Sequence, residues 1–190
     1  MTINPAGRSL RELSAIGVLA TLALAWAAVC FAILLHPVFV TNDSMSNYAH
    51  VWHVSEELWG GGGIPYRFPE IGHGEALSFP YAFLPWTSAA LVKPLFGDWA
   101  VTLWLVLGAA GVLAATWWAF PELHKPLPFA IVLANPMLIE AVLLAQLPFL
   151  WATAMLFGAV AAWRQERRWL ALLLMGAAQA THPAVVLPLA

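Results

Sequence analysis

Apolar positions run along this chain in long blocks separated by short polar stretches. The blocks cover 14–35, 79–96, 99–120, 127–146, 147–163 and 169–188. The first, SAIGVLATLALAWAAVCFAILL, holds 22 nearly uninterrupted apolar residues. A hydrocarbon core needs about 20 helical residues, whereas a secretory signal has an apolar region of about 7–15 before a small-residue cleavage site. The pattern therefore predicts a retained transmembrane helix over 14–35. The remaining blocks predict further spans, and so an all-α, polytopic bundle. Its final stretch, THPAVVLPLA, is still apolar, so we expect an N-terminal part of a larger membrane domain, with helices after Ala190.

Between the first two blocks, residues 36–78 form the one long wet stretch. Met45, Tyr48, Trp52 and Trp59, with Ser55 between, recur at steps of three and four. That spacing marks one face of a helix over 44–59. Asn47, His50, His53 and Glu57 mark another face of it. We expect such a helix to lie at the membrane interface, aromatic side toward lipid or protein. Gly60–Gly63 ends it without a strand–loop–helix phosphate pattern, so it reads as a flexible link.

Charge sets the orientation. Arg8 and Arg11 precede the first span, which places the N-terminus in the cytoplasm and 36–78 outside, with the plasma (inner) membrane as the expected location. Alternation then makes KPLFGDW an inner turn and PELHKP an outer one. The basic RQERR at 164–168 belongs inside, which two full spans over 127–163 do not allow. Asn135-Pro136 interrupts the short block 127–146. It is read as either one short span or a re-entrant hairpin, and parity favours the hairpin.

Composition agrees with the pattern. The chain is 62% hydrophobic and 9% charged, against about 25% charged in soluble domains, which makes it an integral membrane protein. Its net charge of −2 offers no basic surface for nucleic acid. Cys30, the single cysteine, cannot form an intrachain disulfide. The partner to expect is the lipid bilayer.

Candidate chemistry concentrates in the wet stretch. Asp43 opens the helix, where a short acceptor side chain can cap free N–H groups and a carboxylate at the low-dielectric boundary can act as a base. His50, His53 and Glu57 share a face and could reach one divalent metal ion, or serve as a solvated face or as substrate contacts. Arg67 and His73 are further candidates for substrate contacts. Glu140, Gln146 and His182 fall in apolar blocks, where ionisable and amide groups turn toward a cavity or bond helix to helix.

The layout, with ND at 42–43, GGIPYRF at 62–68, FPYAFLPWTSAAL at 79–91 and AQLPFL through THP at 145–183, resembles the GT-C superfamily of polytopic glycosyltransferases. The resemblance covers most of the chain as a layout with loose motifs. Here Asp43 stands without an adjacent second acid, Ala145 replaces a glycine before Gln146, and His182 stands where a lysine is common. The resemblance implies a polyprenyl-phosphate-linked sugar donor, an acceptor on the outer face, and Asp43 acting on the acceptor as base or through a metal. It makes His50, His53, Glu57, Arg67, His73, Gln146 and His182 the candidate substrate-binding residues. A non-catalytic GT-C-like scaffold or lipid-handling protein is the alternative. A transporter is a third reading, against which the chain shows no inverted repeat.

Overall fold

The computed structural model describes residues 10–65, 67–68, 75–76 and 81–186. The fold is all-α apart from a two-residue antiparallel pairing of β1 (Arg67–Phe68) with β2 (Glu75–Ala76). In chain order the helices are α1 (Leu10–Leu34), α2 (Ser44–Gly60), α3 (Phe83–Phe96), α4 (Trp99–Ala119), a 3-10 turn (Pro121–Leu123), α5 (Pro126–Leu133), α6 (Pro136–Leu143), α7 (Leu147–Arg164), α8 (Arg168–Thr181) and α9 (Pro183–Val186). Four segments are long and apolar enough to cross a membrane: α1, α4, the α5–α6 stretch 126–143, and α7.

Packing of these segments defines two ends. α4 and α7 run side by side in the same direction, because the contacts between them advance together along both helices. The Trp151 indole donates to the Trp104 carbonyl at 2.9 Å, and Arg164 donates to the Ala119 carbonyl at 2.8 Å. Gly108 and Gly111 permit this close approach. A β-carbon at Gly108 would meet the Trp151 ring at 2.9 Å, and one at Gly111 would meet Ala154 at 3.3 Å. α8 returns antiparallel along α7, with Leu174 against Gly158.

Two parallel helices need a return crossing, and α5–α6 supplies it. Leu127 shares a hollow with Leu10 and Val18 at the start of α1. Further along, Leu133 and Leu143 meet Leu22 and Val29. The Leu144 carbonyl, just past α6, accepts from the Asp43 N–H at 3.1 Å beyond the other end of α1. This is one bent run from end to end, so the expected re-entrant hairpin over 127–146 is corrected to a single kinked crossing.

The kink is repaired where it forms. Pro136 has no N–H to donate. The Asn135 side chain accepts from the Met137 N–H at 2.9 Å, and the Leu133 carbonyl accepts from the Trp26 indole at 2.8 Å. With the freed backbone groups paired inside the protein, the chain continues through the break at low cost.

The block at 79–96 also departs from expectation. α3 has 14 residues, about 21 Å of helix against a hydrocarbon core of about 30 Å. Both of its ends lie at the same end of the bundle. The Ala82 N–H donates to the Thr181 carbonyl at 2.9 Å. At the other side, α4 begins directly after the Gly97-Asp98 turn, and the Thr102 hydroxyl donates to the Pro37 carbonyl at 3.0 Å. α3 therefore packs along α2 as part of a cap. KPLFGDW lies at the capped end, and PELHKP lies with RQERR at the opposite end, where Arg164 reaches Glu122 at 3.3 Å. The parity problem disappears once α3 is no longer counted as a span.

Candidate functional site

The capped end is built on a buried polar link. The Trp86 indole donates to Asn47 Oδ1 at 2.9 Å, and Asn47 Nδ2 donates to the Ala145 carbonyl at 2.8 Å. Asn47 is buried, as is Trp86, so each donor and acceptor in this chain needs its partner. The link fastens α2 to α3 and to the α6–α7 turn. A second link holds the end of α1. The Tyr48 hydroxyl lies 2.8 Å from the Thr102 hydroxyl and 3.0 Å from the Pro37 carbonyl.

Asp43 sits at the start of α2, as its position in the sequence suggested, but it does not cap the helix with its side chain. The turn is closed by Ser44 instead, whose hydroxyl donates to the Thr41 carbonyl at 2.9 Å and accepts from the Thr41 N–H at 2.7 Å. Asp43 Oδ1 accepts from the Asn42 amide at 3.0 Å. Oδ2 has no hydrogen-bond partner among the described residues. The capping role is thus withdrawn, and a half-buried carboxylate is left available at the capped end.

Tyr81 is the group that sequence reasoning missed. Burial raises its phenol above the ordinary value, and the negative charge of Asp43 acts in the same direction. Its ring lies 5.3 Å from that of His182 and 6.1 Å from that of Trp86. His182 in turn meets the edge of Phe149 at 6.0 Å. The Nδ1 atom of His182 is buried without a partner among the described residues. Asp43, Tyr81 and His182 are therefore drawn together from the starts of α2 and α3 and the end of α8. Gln146 is half-buried at the head of α7, two residues past Leu144, which holds the Asp43 backbone.

The proposed histidine face resolves differently. His53 is 4% exposed, lies flat on Phe68 at 4.6 Å, and its Nε2 meets the Arg67 carbonyl at 2.7 Å. It pins β1 onto α2. His50 stacks on Trp86 at 3.9 Å, meets the edge of Phe68 at 5.1 Å, and directs Nδ1 to the Ser46 carbonyl at 2.7 Å. Burial lowers the His50 pKa, only partly opposed by that carbonyl contact. Glu57 is exposed, and Arg67 is exposed with its carbonyl engaged by His53. Asn47 and His53 thus face inward, His50 is half-buried and Glu57 is exposed, so the shared face is divided between core and surface, while Met45, Trp52 and Trp59 are exposed. Among the described residues, no three His, Cys, Asp or Glu side chains gather closely enough to hold a metal ion, and the trio His50, His53 and Glu57 does not fit one. Glu140 is exposed on α6, and His73 lies outside the described residues.

No family model, no curated protein and no solved structure matches this chain.

Proposed function

We propose that this protein is a membrane glycosyltransferase that moves a sugar from a polyprenyl-phosphate donor to an acceptor at the capped end of the bundle. The observation that carries the reading is Asp43: a carboxylate with one oxygen free of partners among the described residues, relieved of helix capping by Ser44, beside Tyr81. In the reaction, the acceptor oxygen bonds to the anomeric carbon of the sugar as the bond from that carbon to the phosphate oxygen breaks. Asp43 takes the acceptor proton, which requires the hydroxyl within hydrogen-bond reach of its free oxygen. The leaving lipid phosphate gains negative charge, and the Tyr81 hydroxyl and the His182 ring are the donors nearest to hand. No step is assigned to a metal.

Orientation follows from charge. Arg11, Lys125, Arg164, Arg167 and Arg168 lie at the end opposite the cap, so the positive-inside rule puts that end in the cytoplasm and Asp43 on the outer face. α2 and α3 then lie at the outer interface, with Trp52, Trp59, Leu91 and Leu95 of their exposed faces toward lipid.

The test is transfer from a polyprenyl-phosphate sugar in proteoliposomes. Asp43→Asn keeps the shape and the Asn42 contact but removes the base, and it should abolish transfer while insertion and thermal stability stay unchanged. Full activity in Asp43→Asn would sink the assignment. The non-catalytic scaffold remains the second reading. It is favoured by the structural employment of His50 and His53, and an inert protein across donors and acceptors would support it.

A further inference from the structure

A second site lies inside the bundle, running from Phe149 beneath the cap toward the opposite end. A cavity of about 500 Å³ opens between α4, α5–α6 and α7. That volume falls in the range of about 300–1,000 Å³ typical of ligand-holding sites. Its walls are almost wholly apolar, with Phe120, Phe157, Val132 and Leu138 among them. The kink at Asn135-Pro136 forms part of one wall, and Met137 there is 65% exposed, so the cavity opens sideways to whatever surrounds the helices. At its far end it reaches Glu122. That acid is engaged by Arg164 at 3.3 Å.

The surroundings of that end select the occupant. Among the described residues, five cations stand there (Arg11, Lys125, Arg164, Arg167, Arg168) against three acids (Glu12, Glu122, Glu166). Lys125 and Arg167 have no acidic partner among the described residues. Exposed Trp117, Trp118, Trp163 and Trp169 mark the same end, as aromatic residues do at headgroup level. A headgroup bound there needs negative charge, and the chain attached to it needs a dry, lateral slot running toward the middle of the bundle. The donor of the reaction proposed above would hold its phosphate at Tyr81 and His182, at the other end, so it does not meet both conditions.

We infer that this cavity takes one acyl chain of an anionic phospholipid, whose headgroup sits against Lys125 and Arg167. The site is independent of the glycosyltransferase reading. A bound lipid fills the gap left by the kink and ties the α5–α6 crossing to α4 and α7.

The test uses the full chain in nanodiscs containing phosphatidylglycerol with a photoreactive diazirine late in its acyl chain. Crosslinks should map to Val132, Leu138 or Phe157. Thr153→Phe and Val132→Phe fill the slot and exclude the acyl chain, which should lower the crosslink yield about tenfold or more. Leu172→Phe, on an exposed part of α8, should leave it unchanged. Lys125→Glu, which alters no cavity residue, should remove the preference for phosphatidylglycerol over phosphatidylcholine and serves if a filling variant fails to fold. Crosslinks spread evenly over α1 and α8 would overturn the proposal. So would equal yields in the filled variants, or displacement by polyprenyl phosphate but not by phosphatidylglycerol.

Discussion

α1 and α7 both read as apolar helices, yet α7 is built far more deeply into the protein. α1 is the more apolar of the two, but just 6% of its best spanning window is buried, against 50% for α7. The difference lies in what each helix is apolar for. α1 carries Leu24 and Phe31 on exposed faces and touches the bundle mainly along α5, through Trp26. α7 carries Ala152, Gly158, Ala159, Ala161 and Ala162 on buried faces, and small residues let neighbouring backbones come close. Hydropathy thus reports contact with lipid, whereas residue size reports contact with protein.

One substitution at two places probes this contrast most strongly. Gly108→Leu drives a side chain into Trp151 and Leu150, and it should cost about 3 kcal/mol or block assembly. Resistance to unfolding in sodium dodecyl sulfate would measure it. Asn47→Ala should come next, at about 2 kcal/mol, because it strands the Trp86 N–H and the Ala145 carbonyl in a buried setting. Its effect should appear as faster amide exchange in α2 and α3, with α1 unaffected.

A pH dependence should be smaller and confined to the cap. The His50 pKa is lowered in the fold, so the unfolded chain binds more protons between that lowered value and the ordinary 6.5. Stability contributed by neutral His50 is present above 6.5 and is lost as pH falls through this window. His53 lies beside it and Phe68 covers both, with Arg67 and Glu57 the exposed charges nearby. Melting curves should shift downward on acidification in the native chain and less so in His50→Gln. The smallest effect belongs to α1. Gly17→Leu meets nothing within 4 Å and should change stability by less than about 0.5 kcal/mol. A large loss there would mean that α1 is packed after all.

Much of the helical outline was legible from the apolar blocks. The limits of α1, α2, α4 and α7 lie close to what periodicity and punctuation suggested, and four blocks give segments long and apolar enough to cross, whereas the span expected over 169–188 gives the 14-residue α8 and the short α9. The direction of a helix was not legible. Residues 79–96 are as oily as a span, and their composition does not tell a helix lying on the bundle from one passing through it. The helix is short, and its neighbours Asn47 and Thr181 are distant in sequence. α2 teaches the same lesson at the level of faces. Its spacing identified which residues share a side, but the inward side was set by Trp86 and Phe68, which no local pattern reveals. Asp43 was legible as a position at the mouth of a helix. Tyr81 was not, because it stands between apolar neighbours and its proximity to Asp43 depends on the placement of α3.

The bent crossing has a mechanical consequence. α6 is a rigid arm of eight residues, about 12 Å long, hinged at Asn135 and joined at its tip, through the Leu144 carbonyl, to the backbone of Asp43. A swing of about 10° at the hinge would carry that tip about 2 Å, on the scale at which misplacing a reacting group costs orders of magnitude in rate. The bend lines the cavity and the tip holds the Asp43 backbone, so any change of angle at the first is carried to the start of α2.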